Sequence, residues 1–205
     1  MSDQRTAAWF SARTGKLTAS RMADAMAYLK TGKPAAARVK LLQELVAERL
    51  TDAIVPHYVT ADMTWGIEQE PYAKAEYTLR TGREVLPCFF FDHFDIDNFG
   101  ASPDGLVDDG LIEIKCPRTA THIAWVADGE VPEEHKPQML AQMACTGRRW
   151  CDFASFDPRI QGPRRLFIVR FTPEPAELAR VEEEARKFLA EAETLFELMT
   201  SEEVA

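Results

Sequence analysis

Two carboxylates and a lysine fall close together near the middle of the chain. Asp104 lies in Ser102-Pro103-Asp104-Gly105-Leu106, and Glu113 and Lys115 lie in Leu111-Ile112-Glu113-Ile114-Lys115-Cys116-Pro117. Residues 111–116 alternate apolar and polar at the start, which is the period of a strand. In a strand, side chains two apart share a face. Ile112, Ile114 and Cys116 are expected to point into the core, and Leu111, Glu113 and Lys115 to the other side. Pro103-Asp104-Gly105 reads as a turn that presents the second carboxylate beside the strand. This set suits metal-assisted phosphodiester hydrolysis. Mg²⁺ takes carboxylate oxygens and keeps several waters. It polarises a phosphate and lowers the pKa of a bound water. A lysine beside that water can orient it, take up its proton or neutralise developing charge. The triplet is short, and the same residues also fit a solvent-facing strand with a surface ion pair.

Other elements must position this stretch. Trp9 to Ser20 leads past Gly15 into a helix through Met22, Ala25, Met26 and Leu29, with Thr18 or Ser20 as its cap. A helix N-terminus with a capping hydroxyl and Arg13 just upstream would bind a phosphate. Residues 29–34 form a polar loop in which Lys30 and Lys33 are candidate DNA contacts. Residues 35–50 read as a helix with a packing stripe of Val39, Leu42, Leu45, Val46 and Leu50. The connection after it carries an isolated His57, expected to be an exposed loop residue. Residues 62–81 read as a helix ended by Gly82. Glu70 shares a stripe with Ile67, Ala73 and Tyr77, and Glu68 shares one with Tyr72, Ala75 and Leu79, so helical geometry does not choose between them. Residues 84–92 read as a strand, 119–127 as a short helix, and 135–145 as a helix with Gln138 and Gln142 on one face. His135 is expected at the surface. Residues 150–156 and 164–172 read as strands, and 176–199 as an amphipathic helix.

The chain has 205 residues, room for one α/β domain with a core. No apolar run reaches the length of a membrane span, and the N-terminus lacks the pattern of a signal peptide, so a cytoplasmic protein is expected. Cys88, Cys116, Cys145 and Cys151 show no C-x-x-C spacing, which argues against a zinc or iron–sulfur site and for buried thiols. The net charge of -9 disfavours indiscriminate nucleic-acid binding. It is unevenly spread. Residues 1–40 carry an excess of six positive charges and could face a phosphate backbone; residues 173–205 carry an excess of seven negative charges and could not.

Asp104, Glu113 and Lys115 match the PD-(D/E)xK nuclease signature. More narrowly, S-P-D-G-L followed by I-E-I-K-C-P resembles the phage lambda exonuclease family, also called YqaJ-like viral recombinases. Further blocks stand in family order from residue 9 to residue 171: W-x-x-x-R-x-G-x-x-T-A-S, G-x-x-x-E and W-C-D-F-A-S-F-D-P-R. The resemblance implies a restriction-endonuclease-like α/β fold, a central mixed sheet flanked by helices. It implies a 5′-to-3′ exonuclease on double-stranded DNA, leaving 3′ overhangs for phage-type recombination. Mg²⁺, or Mn²⁺ in its place, would be held as two ions by Glu70, Asp104, Glu113 and the Ile114 main-chain carbonyl. Lys115 and Gln138 would complete the catalytic set, with Gln142 a weaker candidate. Arg13 and Ser20 would hold the 5′-terminal phosphate. A ring-shaped homotrimer and a single-strand-annealing partner protein are implied as well. Two other readings are a structure- or sequence-specific DNA endonuclease of the same fold, and a non-catalytic DNA-end-binding scaffold.

Overall fold

The computed structural model describes residues 6–55 and 59–201. His57 lies outside them. The elements run α1 (Ala7–Arg13), β1 (Leu17–Thr18), a 3₁₀ turn Ala19–Arg21, α2 (Met22–Ala25), α3 (Ala36–Thr51), α4 (Ala61–Thr81), β2 (Phe91–Asp92), β3 (Phe99–Ala101), β4 (Gly105–Val107), β5 (Gly110–Lys115), α5 (Thr119–Asp128), a 3₁₀ turn Glu133–His135, α6 (Lys136–Thr146), β6 (Cys151–Phe156), a 3₁₀ turn Pro163–Arg165, β7 (Leu166–Phe171) and α7 (Pro175–Thr200). They build two sheets. The larger has order β4-β5-β6-β7, with only β5 and β6 parallel. The smaller has order β1-β3-β2, with β1 parallel to β3.

The central strand β5 is covered on both faces, which corrects the expected one-sided strand. Ile112 and Ile114 pack with Ala73, Tyr77 and Ala154 beneath α4, while Leu111 packs with Phe153 and Met139 beneath α6. Leu111 is thus core, and Glu113 is buried with it. A strand flanked by paired neighbours and helices on both sides has no solvent face. Tyr77 anchors α4: its hydroxyl donates to Asp152 Oδ2 at 2.6 Å, and Arg170 holds the same carboxylate from β7. Burial, then Asp152, pushes the Tyr77 phenol up to about 12.

Three further expectations are corrected. The helix expected after Ser20 is one 3₁₀ turn and one α turn; neither Thr18 nor Arg21 makes a side-chain cap bond. The chain instead turns back, with Tyr28 bridged to Pro34 and Gly32 at φ +79°. The strand expected over residues 84–92 shrinks to β2, because the segment changes sheets: Leu86 bridges Leu106 of β4, Pro87 has no N–H to donate, and Phe91 pairs with Ala101 of β3. In α3 the buried residues are Leu41, Leu45 and Val46, while Val39 and Leu50 are exposed. The helix is rotated because Arg38 and Glu48 are buried too, Arg38 against Glu191 of α7 and Glu48 against Gly15 and Arg21. α7 covers this side with Val181, Ala185, Phe188, Leu189 and Ala192. A fully buried Phe or Leu contributes about 1.5–3 kcal/mol.

Candidate active site

β4, β5, α4 and α6 converge on Asp104, Glu113 and Lys115. Asp104 sits in the tight turn into β4, and its Oδ2 accepts the main-chain N–H of Ile114 at 2.6 Å. The β4–β5 hairpin fixes this contact by pairing Gly105 with Ile112. Part of Asp104 reaches solvent, yet it lies deep among protein atoms. That burial, then Glu113, then Glu70, raise its carboxyl well above the usual range; Lys115 and the Ile114 N–H oppose the rise.

Glu113 and Lys115 lie on the β5 face under α6. Glu113 Oε1 accepts from Lys115 Nζ at 2.6 Å and from Gln138 Nε2 at 2.7 Å. Its Oε2 accepts from Gln142 Nε2 at 2.6 Å. Gln138 Oε1 in turn accepts from Lys115 Nζ at 3.2 Å. Burial acts to lower the Lys115 pKa, but Glu113 and then Asp104 outweigh it and hold the group above its ordinary value, as an ammonium.

Glu70 approaches from α4, partly buried, with Oε1 2.6 Å from Lys74 Nζ one turn on. It is near enough to act on Asp104 and on the Cys88 and Cys116 thiols, whereas Glu68 is exposed. The packed stripe of α4 thus separates two carboxylates that periodicity alone did not. Among the described residues, no three His, Cys, Asp or Glu side chains are gathered as around a metal ion. The carboxylates are occupied by Lys115, Lys74 and the two amides. The donor chemistry still fits a hard divalent ion: every candidate ligand is an oxygen, and Glu113 and Glu70 both stand near enough to Asp104 to act on its carboxyl.

Burial pushes the Cys88 thiol up to about 11 and the Cys116 thiol up to about 12. Both are inert thiols at neutral pH. His135 is not at the surface, as expected, but partly buried. It stacks on Phe153 at 5.4 Å and meets Trp125 edge-on, and burial, then Lys115, lowers its pKa to about 4.

A second polar cluster adjoins the first. Arg13 Nη1 donates to Ser102 Oγ at 3.3 Å, and Nη2 donates to Thr18 Oγ1 and to Ser20 Oγ, each at 3.4 Å. Trp9 Nε1 also donates to Ser102 Oγ, and the Arg13 guanidinium lies 4.1 Å over the Trp9 ring. Its hydrogen-bond partners are hydroxyls. Burial, then Arg21, lowers its pKa to about 10, which leaves it charged at neutral pH. The expected helix-terminus anion site is replaced by this guanidinium–hydroxyl pocket, because α2 is too short and the hydroxyls turn to Arg13.

The sheet explains why the two clusters meet. Thr18 pairs with Gly100 across β1 and β3, so Ser20 and Ser102 each lie two residues beyond one paired position. A Cβ on Gly100 would come within 2.2 Å of the Phe90 ring. Ser102 is a site residue that sequence reasoning missed; its signal was its place two residues before Asp104. Lys30 is exposed on the turn after α2 and touches none of these groups. The basic excess of residues 1–40 is largely consumed internally: Arg21 pairs with Glu44 and Glu48, Arg38 with Glu191, Lys16 with Asp92 and Lys40 with Glu44.

The sequence pattern of the YqaJ-like viral recombinase domain matches residues 8–149. The chain belongs to the YqaJ-like viral recombinase family. Within reach of that family stands LHK-Exo, an alkaline exonuclease from Laribacter hongkongensis, known from crystal structures that include one in complex with dAMP. It is 46% identical to this chain, over 95% of this chain and 96% of LHK-Exo, with a TM-score of 0.88. A phage-related exonuclease from Haemophilus somnus 129PT is 15% identical over 90% of this chain and 96% of its own, with a TM-score of 0.66, and speaks for the fold alone. No curated protein matches. The fold is restriction-endonuclease-like, mixed sheets flanked by helices. Among the described residues no helix is long and apolar enough to cross a membrane.

Proposed function

We propose that this YqaJ-like protein is a DNA exonuclease that hydrolyses one strand of duplex DNA from its 5′ end, with Mg²⁺ or Mn²⁺, and leaves 3′ single-strand overhangs for recombination. The observation that carries this reading is the convergence of Asp104, Glu113, Lys115 and Gln138 around one short stretch of backbone. LHK-Exo adds support by similarity, and its dAMP is the class of product such a reaction releases.

Asp104, Glu113 and the Ile114 carbonyl would hold one divalent ion, with Glu70 completing or neighbouring a second. The ions would polarise the scissile phosphate and lower the pKa of an attacking water. Lys115, tied to Glu113 and Gln138, orients that water and offsets the charge that develops on the phosphate. Water adds to phosphorus, the bond to the 3′ oxygen of the terminal nucleotide breaks, and that oxygen leaves as a hydroxyl. Arg13 grips the terminal 5′ phosphate with Ser20, Thr18 and Ser102, and Lys30 contacts the duplex further along. Assembly as a ring-shaped homotrimer, work beside a single-strand-annealing protein and a cytoplasmic location belong to the same proposal.

The deciding experiment uses linear duplex DNA with 5′-phosphate or 5′-hydroxyl ends and a closed circle, each with Mg²⁺ or chelator. Mononucleotides from 5′-phosphorylated ends, only with metal and with the circle intact, are expected. A cut circle would establish an endonuclease instead, and binding without cleavage a scaffold.

A further inference from the structure

Gln142 is fully buried, one turn beyond Gln138 on α6. The two glutamines take opposite oxygens of one carboxylate: Gln138 Nε2 meets Glu113 Oε1 at 2.7 Å, and Gln142 Nε2 meets Oε2 at 2.6 Å. Their other ends differ. Gln138 Oε1 accepts from Lys115, whereas Gln142 Oε1 is buried without a hydrogen-bond partner among the described residues. An unpaired buried carbonyl is costly. A side chain kept for stability alone would pair both ends or be apolar. The amide cannot be turned round to relieve this, since its oxygen would then face Glu113 Oε2 at the same 2.6 Å. The hydrogen bond to Glu113 is therefore what Gln142 supplies.

We infer that Gln142 is a positioning residue that fixes the plane of the Glu113 carboxylate for a divalent cation. The last torsion of a glutamate is soft. Lys115 and Gln138 both hold Oε1 and would leave the carboxylate free to pivot about that oxygen; the donor on Oε2, from the same helix as Gln138, removes that freedom. Among the described residues Gln142 makes no hydrogen bond to Lys115 or Asp104, so its action on the site runs through Glu113. This rests on the reading of Asp104 and Glu113 as metal ligands. Partners that orient a metal-binding side chain are worth about 10–100-fold in metal affinity or activity.

The test is thermal unfolding of the full chain, in chelator and over a titration of Mg²⁺ alone, for the wild type, Gln142→Met and Gln142→Leu. Ligand binding to the folded state stabilises it by RT ln(1 + L/Kd), where L is the free ligand concentration, so the rise of the unfolding temperature over the titration yields an apparent affinity without turnover. Both variants are expected to unfold in chelator near or below the wild-type temperature, because the relief of the unpaired carbonyl is offset by the loss of the donor to Glu113 Oε2. Both should need about 10–100-fold more Mg²⁺ for the same rise. An Mg²⁺ response within twofold of wild type would overturn the inference. So would a lower unfolding temperature in chelator with an unchanged Mg²⁺ response, the mark of a purely structural role. A wild type that does not respond to Mg²⁺ at all would instead overturn the metal site itself, and is told apart because it appears without any substitution.

Discussion

The two polar clusters are electrostatically unfinished in opposite senses. Around Asp104 and Glu113, burial and then the neighbouring carboxylates Glu113 and Glu70 drive the Asp104 carboxyl upward, and Lys115 opposes this only in part. Around Arg13 a buried guanidinium is met by hydroxyls, and its pKa is driven downward. A folded protein ordinarily closes such imbalances itself, as Arg38 does with Glu191 and Arg170 with Asp152. Where burial is tolerated without closure, the missing charge is supplied from outside. Under the proposed function the first cluster would take a cation and the second an anion, and a metal-bound DNA end would supply both.

The largest expected effect falls on the carboxylate side. Lys115→Ala removes the only cation that touches both Glu113 and Gln138 among the described residues, and hydrolysis measured under single turnover should fall by about 10²–10⁴-fold. Retained activity would break the assignment. On the cationic side, Arg13→Ala should cost about 1.5–3 kcal/mol of binding to a phosphorylated end, roughly 10–150-fold, with little change for a 5′-hydroxyl end. Equal losses on both ends would mean that Arg13 serves the fold. Ser102→Ala should show the same selectivity at about 0.5–1.5 kcal/mol, since a neutral hydroxyl is lost rather than a charge.

The smallest effect is one on stability rather than on activity, and it has the opposite sign. Asp104→Asn should abolish hydrolysis yet raise the unfolding temperature in chelator by about 2–4 °C, the shift for about 1 kcal/mol in a chain of this length. The sign follows from the raised folded pKa. Below the ordinary carboxylate range Asp104 is neutral folded and unfolded, and nothing is gained by replacing it. As pH rises through that range the unfolded chain ionises first, and wild-type stability is lost. The gain should therefore vanish when unfolding is followed at acid pH.

Much of this was legible in the residues. Period two placed Glu113 and Lys115 side by side, and helical spacing set Gln138 and Gln142 on one face. The interior of β5 was misjudged at Leu111 because alternation reports one neighbouring layer, whereas this strand has two. Glu68 and Glu70 could not be separated until α4 was seated against β5. Ser102 and the internal use of Arg21 and Arg38 depend on long-range pairings such as Arg38 with Glu191, for which local pattern carries no signal.

The short parallel contact between Thr18 and Gly100 has one more consequence under the proposed function. It ties the end-binding pocket to the reacting centre through Ser102-Pro103-Asp104, and two residues of backbone span at most about 7 Å. Pro103 stiffens that span, and the Cys88 thiol donates to its carbonyl. Under that reading the two clusters would act as a ruler graduated in single nucleotides. A phosphate seated against Ser102 would set the next one down the strand beside Asp104. Each cut would leave that next phosphate as the new terminus, so the product strand would already be shaped as the following substrate.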